Sequence, residues 1–271
     1  MDRDAKRLFA GAAACAGAFV VLLVLAYWWE PAREADGSAL RGFVGLERTG
    51  AMEDIITLAD PLPYAVMSAA LVLLALARRR PGRALVAALL LGGSALTTQA
   101  LKSLLAFERH ERFLGPNQVD AAAFPSGHAT GSMALAFAAV LVAPAVLRLP
   151  LAALGMLFTL AISFSIVARG GHYPSDVLGG YLVASAWFLA AFGAVHARRT
   201  AAARTGRPLE LGPRWAAAAV LLAALAIAIP LAPDAIDYAQ RHTAFAVVAG
   251  AIGAAAAALL VGVAMVSRPR G

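Results

Sequence analysis

Eight stretches of the chain are almost wholly apolar, each bounded by polar or helix-breaking residues: Leu8–Trp29, Leu62–Ala77, Ala84–Leu105, Ala129–Leu147, Leu151–Ala168, Val177–Val195, Trp215–Leu231 and Thr243–Val266. A helix rises about 1.5 Å per residue, so crossing about 30 Å of hydrocarbon takes roughly 17–25 residues. Lipid offers no partner to peptide N–H and C=O groups, and each stretch is therefore predicted to be a helix. Leu62–Ala77 is the shortest, with Leu151–Ala168 close behind. Between the first two spans the pattern changes: Leu40, Phe43, Val44 and then Met52, Ile55, Ile56 and Ala59 recur at spacings near three and four. One or two amphipathic helices are expected there, either lying on the outer leaflet or packed on the span ends. The predicted architecture is an all-α polytopic membrane bundle. Residues 1–197 form a six-span core, and residues 198–271 an Arg-rich linker with two further spans.

Composition agrees. Hydrophobic residues make up 61% of the chain and charged ones 14%, whereas soluble domains are about half apolar and about a quarter charged. Charge then sets orientation, because short cytoplasmic loops are enriched in Lys and Arg. Arg3, Lys6, Arg7, Arg78, Arg79, Arg80, Arg83, Arg148, Arg198, Arg199, Arg204, Arg207, Arg214, Arg268 and Arg270 fall on one side, fifteen of the 23 basic residues. Only Asp2, Asp4 and Glu210 among the sixteen acids join them. Both termini are thus expected in the cytoplasm, the natural setting being a bacterial cytoplasmic membrane. The net charge of +7 follows from this bias and calls for no nucleic-acid partner. The apolar run through Trp28 and Trp29 is too long for a cleaved leader, and Ala12-Ala13-Ala14-Cys15 lacks the large aliphatic residue expected before a lipidated cysteine. Cys15 is the single cysteine, so neither an internal disulfide nor a cysteine-based metal site is available.

The chemistry sits on the exterior side. In His172-Tyr173-Pro174-Ser175-Asp176 the proline suits a first helical turn, which puts Asp176 inside that turn and His172 just before it. Asp176 can reach back to one imidazole nitrogen, fix the tautomer and leave the other nitrogen to attack. It could equally serve as a plain helix cap. Pro125-Ser126-Gly127-His128 has the same form: a helix starting there would offer the N–H groups of Ser126, Gly127 and His128 and the Ser126 hydroxyl to an anion. His128, protonated, could deliver a proton to a leaving oxygen. Lys102 and Arg109 are seven apart at the exterior end of the third span, hence on one helical face. Near a phosphate they would supply a point charge and a bidentate fork, although a lysine at the membrane edge can simply snorkel. Glu108, Glu111 and Arg112 are expected to pair with one another. No exterior cluster offers the several Asp, Glu or His ligands of a metal shell. Gly250, Gly253 and Ala257 in the last span read as helix-packing positions rather than a site.

Together the three clusters resemble the type 2 phosphatidic-acid phosphatase family, whose pattern is KxxxxxxRP, PSGH and SRxxxxxHxxxD. Here they stand as Lys102…Arg109-His110, Pro125-Ser126-Gly127-His128 and Ser165-Ile166…His172…Asp176, and the likeness runs from about Leu62 to Val195. The resemblance implies a metal-independent, cofactor-free phosphatase of membrane lipid phosphates. In it His172 would become phosphorylated, Asp176 would orient it, and His128 would protonate the leaving alkoxide. Lys102, Arg109, Ser126 and Gly127 would hold the phosphoryl oxygens. His110 departs from a proline, and Ile166 from an arginine that binds phosphate. Arg169 lies about 300° and roughly 4.5 Å along the helix from position 166, so it could take over that contact. A lipid phosphotransferase on the same scaffold, or an inactive scaffold or transporter, are the rival readings.

Overall fold

The computed structural model describes residues 3–200 and 232–266. Its ten α-helices are α1 (Arg3–Trp28), α2 (Glu30–Val44), α3 (Gly50–Thr57), α4 (Pro61–Ala77), α5 (Pro81–Leu104), α6 (Gly127–Val142), α7 (Arg148–Ala168), α8 (Pro174–Thr200), α9 (Ala232–Arg241) and α10 (Thr243–Val266). No strand occurs among the described residues. Local chemistry explains where several of them start. Pro61, Pro81 and Pro174 open α4, α5 and α8, where a missing N–H costs nothing. The Thr49 hydroxyl accepts from Met52 N–H at the start of α3, and the Ser126 hydroxyl from Ala129 N–H at the start of α6.

Among the described residues six helices are long and apolar enough to cross a membrane: α1, α5, α7, α8, α10, and α6 together with the short helical turn before it. Leu62–Ala77 does not qualify alone. Its helix α4 has 17 residues, and it reaches span length only together with α3, from which it is bent by 53°. The fourth predicted span overran its end. Ala143 precedes Pro144 and takes an extended ψ of 150°, as the proline ring requires of its neighbour, so α6 stops at Val142. Trp215–Leu231 lies outside the described residues, as does most of the Arg-rich linker.

Helix α6 is the core. Of its sixteen residues, thirteen are buried, and α4, α5, α7, α8 and α10 surround it; α1 runs along α8. Helices α6 and α8 come closest near the site: a Cβ at Gly180 would stand 2.8 Å from Thr130 Oγ1 and 2.9 Å from the Ser126 carbonyl oxygen. Any larger residue would push apart the two helices whose starts carry the histidine motifs.

The segment between the first spans resolves the choice left by the sequence. Helix α2 packs on α1, α7, α8 and α10, with Leu40 and Phe43 fully buried, so it caps the bundle rather than floating on a leaflet. Among the described residues nothing lies within 4 Å of a Cβ built at Gly250 or Gly253, and Ile252, Ala256 and Leu260 form the buried face of α10; the neighbouring predicted span lies outside the described residues.

Candidate active site

The site gathers at one end of the bundle, where α5 ends and α6 and α8 begin. Asp176 is fully buried in the first turn of α8, and three groups share its carboxylate. Oδ2 accepts from Tyr173 N–H at 2.9 Å and pairs with His172 Nδ1 at 3.3 Å, while Oδ1 accepts from Arg109 Nη2. It is therefore a helix cap and a histidine orienter at once. An ionised carboxylate can only accept, so Nδ1 carries the imidazole proton and the lone pair lies on Nε2, as an attacking nitrogen requires. Gly170, at φ 77°, makes the reversal from α7 to α8 in the left-handed region that glycine tolerates.

One backbone bond ties the two histidine motifs together: Ser126 N–H donates to the Asp176 carbonyl at 2.9 Å. The bond also revises an expectation, because that N–H is spent inside the protein. The Ser126 hydroxyl is fully buried and accepts from Ala129 N–H. Gly127 and His128, partly open, hold the first-turn N–H groups that an anion could still meet. Lys102 reaches this same place, its Nζ lying 3.9 Å from where a Cβ at Gly127 would be, and its charge interacts with Asp176.

Arg109 stands elsewhere than expected. Its Nη1 donates to Asp36 Oδ2 and Ser175 Oγ, both at 3.0 Å, and its Nη2 donates to Asp176. The guanidinium lies 3.6 Å from the ring centre of Tyr173 and 4.7 Å from that of Tyr27, a buried cation between two aromatic faces. Burial opposes its charge, but the Asp176 and Asp36 carboxylates outweigh that and hold it above the ordinary arginine range. The start of α8 is likewise filled: Ser175 N–H donates to Asp36 Oδ1 at 3.0 Å and Ser175 Oγ to Asp36 Oδ2 at 2.6 Å. Of two helix starts expected to face an anion, the one at α8 thus holds a carboxylate of the protein itself. Burial pushes the Asp36 acid up to about 6 against the pull of Arg109 and the Ser175 bonds.

Arg169 closes α7, with its side chain 41% exposed and its Nη1 3.4 Å from Glu53 Oε2 on α3; it acts electrostatically on His128. Ile166 is fully buried in the apolar core. His128 Nε2 pairs with Asp60 Oδ1 at 3.1 Å. Sequence reasoning missed Asp36, Asp60, Glu53 and Tyr27, all before residue 62. Glu108, Glu111 and Arg112 form no ion pair among the described residues; Gln118 instead bonds the Glu111 backbone at 2.8 and 2.9 Å. Among the described residues no group of three or more His, Cys, Asp or Glu side chains is placed to hold a metal ion.

Membrane-spanning helices around a histidine–carboxylate pair, a second histidine and an open helix start define a class of membrane protein equipped for phosphate chemistry. Residues 83–200, which contain every motif residue, match the family model of the PAP2 superfamily, a superfamily of phosphatase-type proteins, and the match is consistent with the type 2 phosphatidic-acid phosphatase family. No curated protein and no solved structure matches the chain. Helices α1 to α3, which carry Tyr27, Asp36 and Glu53, and Asp60 just before α4 lie outside the matched segment.

Proposed function

We propose that this protein hydrolyses a phosphate monoester or diphosphate of a membrane lipid at the exterior face, through a phosphohistidine intermediate and without a metal. The observation that carries the reading is His172 with Nδ1 held by buried Asp176 and Nε2 without a hydrogen-bond partner among the described residues, tied by the Ser126–Asp176 backbone bond to the helix start that bears His128. In the first step Nε2 attacks phosphorus, and the bond from phosphorus to the lipid oxygen breaks. His128 gives its proton to the departing oxygen, an alkoxide from a monoester or a lipid phosphate from a diphosphate. In the second step His128 takes a proton from water, which displaces the phosphoryl group as inorganic phosphate and regenerates His172. Lys102 and the Gly127 and His128 N–H groups supply the positive field for the phosphoryl oxygens. Arg109 serves this site through Asp176. A lipid substrate fits a site set at the mouths of membrane-spanning helices, and the Lys and Arg bias favours the exterior face.

Arg169 is proposed to leave Glu53 for the phosphoryl group, since an exposed pair at 3.4 Å is worth at most about 1 kcal/mol. Arg169→Ala should lower kcat/KM by on the order of a hundredfold, the scale of losing one charged clamp. Glu53→Gln should stay within about twofold of wild type. Near-normal kinetics for Arg169→Ala would remove it from the site.

Purified protein in detergent should release inorganic phosphate from at least one of phosphatidate, phosphatidylglycerophosphate, undecaprenyl diphosphate and lipid A phosphates. A chelator should leave the rate within about twofold. In sealed vesicles of known orientation, substrate confined to the cytoplasmic leaflet should be spared. Failure on all four lipids, or full loss with chelator restored by a divalent ion, would overturn the reading.

A further inference from the structure

Asp36 is a carboxylate where the pattern calls for an apolar side chain. It lies four residues before Leu40 and seven before Phe43, on the stripe of α2 that is buried against the bundle. Burying an ion there is costly unless its partners are well placed, and they are: Arg109 Nη1, Ser175 N–H and Ser175 Oγ all meet it within 3.0 Å. Arg109 in turn meets Asp176, and Asp176 meets His172. The result is one unbroken line of alternating charge from α2 to Nδ1 of the ring whose Nε2 is proposed to attack.

We infer that Asp36 is a positioning residue for His172, whose carboxylate shares Arg109 with Asp176 and so sets the charge around the nucleophile. The inference rests on the proposed function for its kinetic part alone. A guanidinium shared between two carboxylates draws less negative charge from each than one facing a single carboxylate. With Asp36 ionised, Asp176 therefore keeps more of its charge for the hydrogen bond to His172 Nδ1. Other groups bear on the line as well. Tyr27 and Tyr173 flank Arg109, and His128 interacts with His172. Glu111 lies behind Gly37. A cavity of about 400 Å³ adjoins Asp36 and Arg109, with Glu30, Arg33, Glu34 and Arg41 among its lining. None of these bridges Arg109 to the start of α8; Asp36 and Ser175 do.

The test uses the full chain in detergent with ¹⁵N-labelled histidine. There are five histidines, and His172→Asn identifies the signal of interest. Asp36→Asn should weaken the bond from Nδ1–H of His172 to Asp176, read as an upfield move of the His172 Nδ1 proton. It should also cut kcat by about tenfold with KM within about twofold on the most rapidly hydrolysed of the four lipids, and Asp36→Glu should recover part of both. A purely architectural carboxylate would instead reduce the yield of folded protein and leave the His172 Nδ1 proton where it was. Should Asp36→Asn not fold, Asp36→Ser, neutral and smaller, carries the same measurement. An unmoved Nδ1 proton in whichever variant folds, or the failure of both neutral variants to fold, would overturn the inference. Absence of phosphate release by wild type would sink the proposed function, and the Nδ1 proton would still decide the role of Asp36.

Discussion

Asp176→Asn should lower kcat by on the order of a thousandfold or more, the scale on which a catalytic imidazole held in the wrong tautomer loses activity. The reason lies in what the carboxylate can accept. Asp176 Oδ2 faces both His172 Nδ1 and Tyr173 N–H, so it dictates a proton on Nδ1. An amide at 176 would turn its oxygen to the Arg109 guanidinium at the Oδ1 position, and its NH₂ group, standing in the Oδ2 position, would present N–H donors to the imidazole and to Tyr173 N–H. That shifts the ring proton to Nε2, where the lone pair is needed. The variant keeps the size of the side chain, so KM should change far less than kcat. Phosphate release, compared at equal amounts of folded protein, checks it; a loss under about tenfold would take Asp176 out of the reaction.

Arg109→Ala should destabilise the protein by about 3–5 kcal/mol, the usual cost of stripping the partner from a buried ion pair. Here one cation serves two carboxylates, at Asp36 and Asp176, and neither side chain is more than 10% exposed. Arg109→Lys keeps the charge but loses both the fork and the stacking on Tyr173, and should recover about half. The deficit should also depend on pH. Burial already holds the Asp36 acid up at about 6 with Arg109 present, and without Arg109 it must rise further. A carboxyl whose folded value is raised contributes stability that is fully present below its unfolded value near 4 and lost as pH rises through the folded one. The gap between Arg109→Ala and wild type should therefore be smaller near pH 5 than near pH 8, read from denaturation in detergent. A gap independent of pH would mean that Asp36 does not become an unpaired ion in the variant.

How much of this was legible in the sequence follows from the range of the interactions. Spans such as Ala84–Leu105 and Leu151–Ala168 were plain, because lipid imposes one solution on a long apolar run. Dyad geometry was legible too, since His172 and Asp176 are four apart across a proline-started turn and local helix chemistry fixes them. Arg109 was misplaced for the opposite reason. Its partners Asp36 and Asp176 lie 73 and 67 residues away, and spacing along one helix says nothing about either. Ser126 was expected to offer its N–H to an anion, but the close crossing of α6 on α8 gives that N–H to the Asp176 carbonyl. A usable signal did exist for Asp36, as an acid in phase with Leu40 and Phe43 on an amphipathic helix. Nothing comparable marked Asp60, which sits just before α4 and meets His128 only through the fold.

The central claim is that His172 carries the phosphoryl group, and trapping tests it most directly. Brief incubation with a ³²P-labelled lipid phosphate, followed by denaturation, should leave label on the protein that is labile to acid and stable to alkali, as a phosphoramidate is. Wild type should show it and His172→Asn should not, while His128→Asn, slowed in release of the intermediate to water, should retain label longer. Label at the wild-type level in His172→Asn, or turnover by wild type with no trapped label at any time point, would contradict the account.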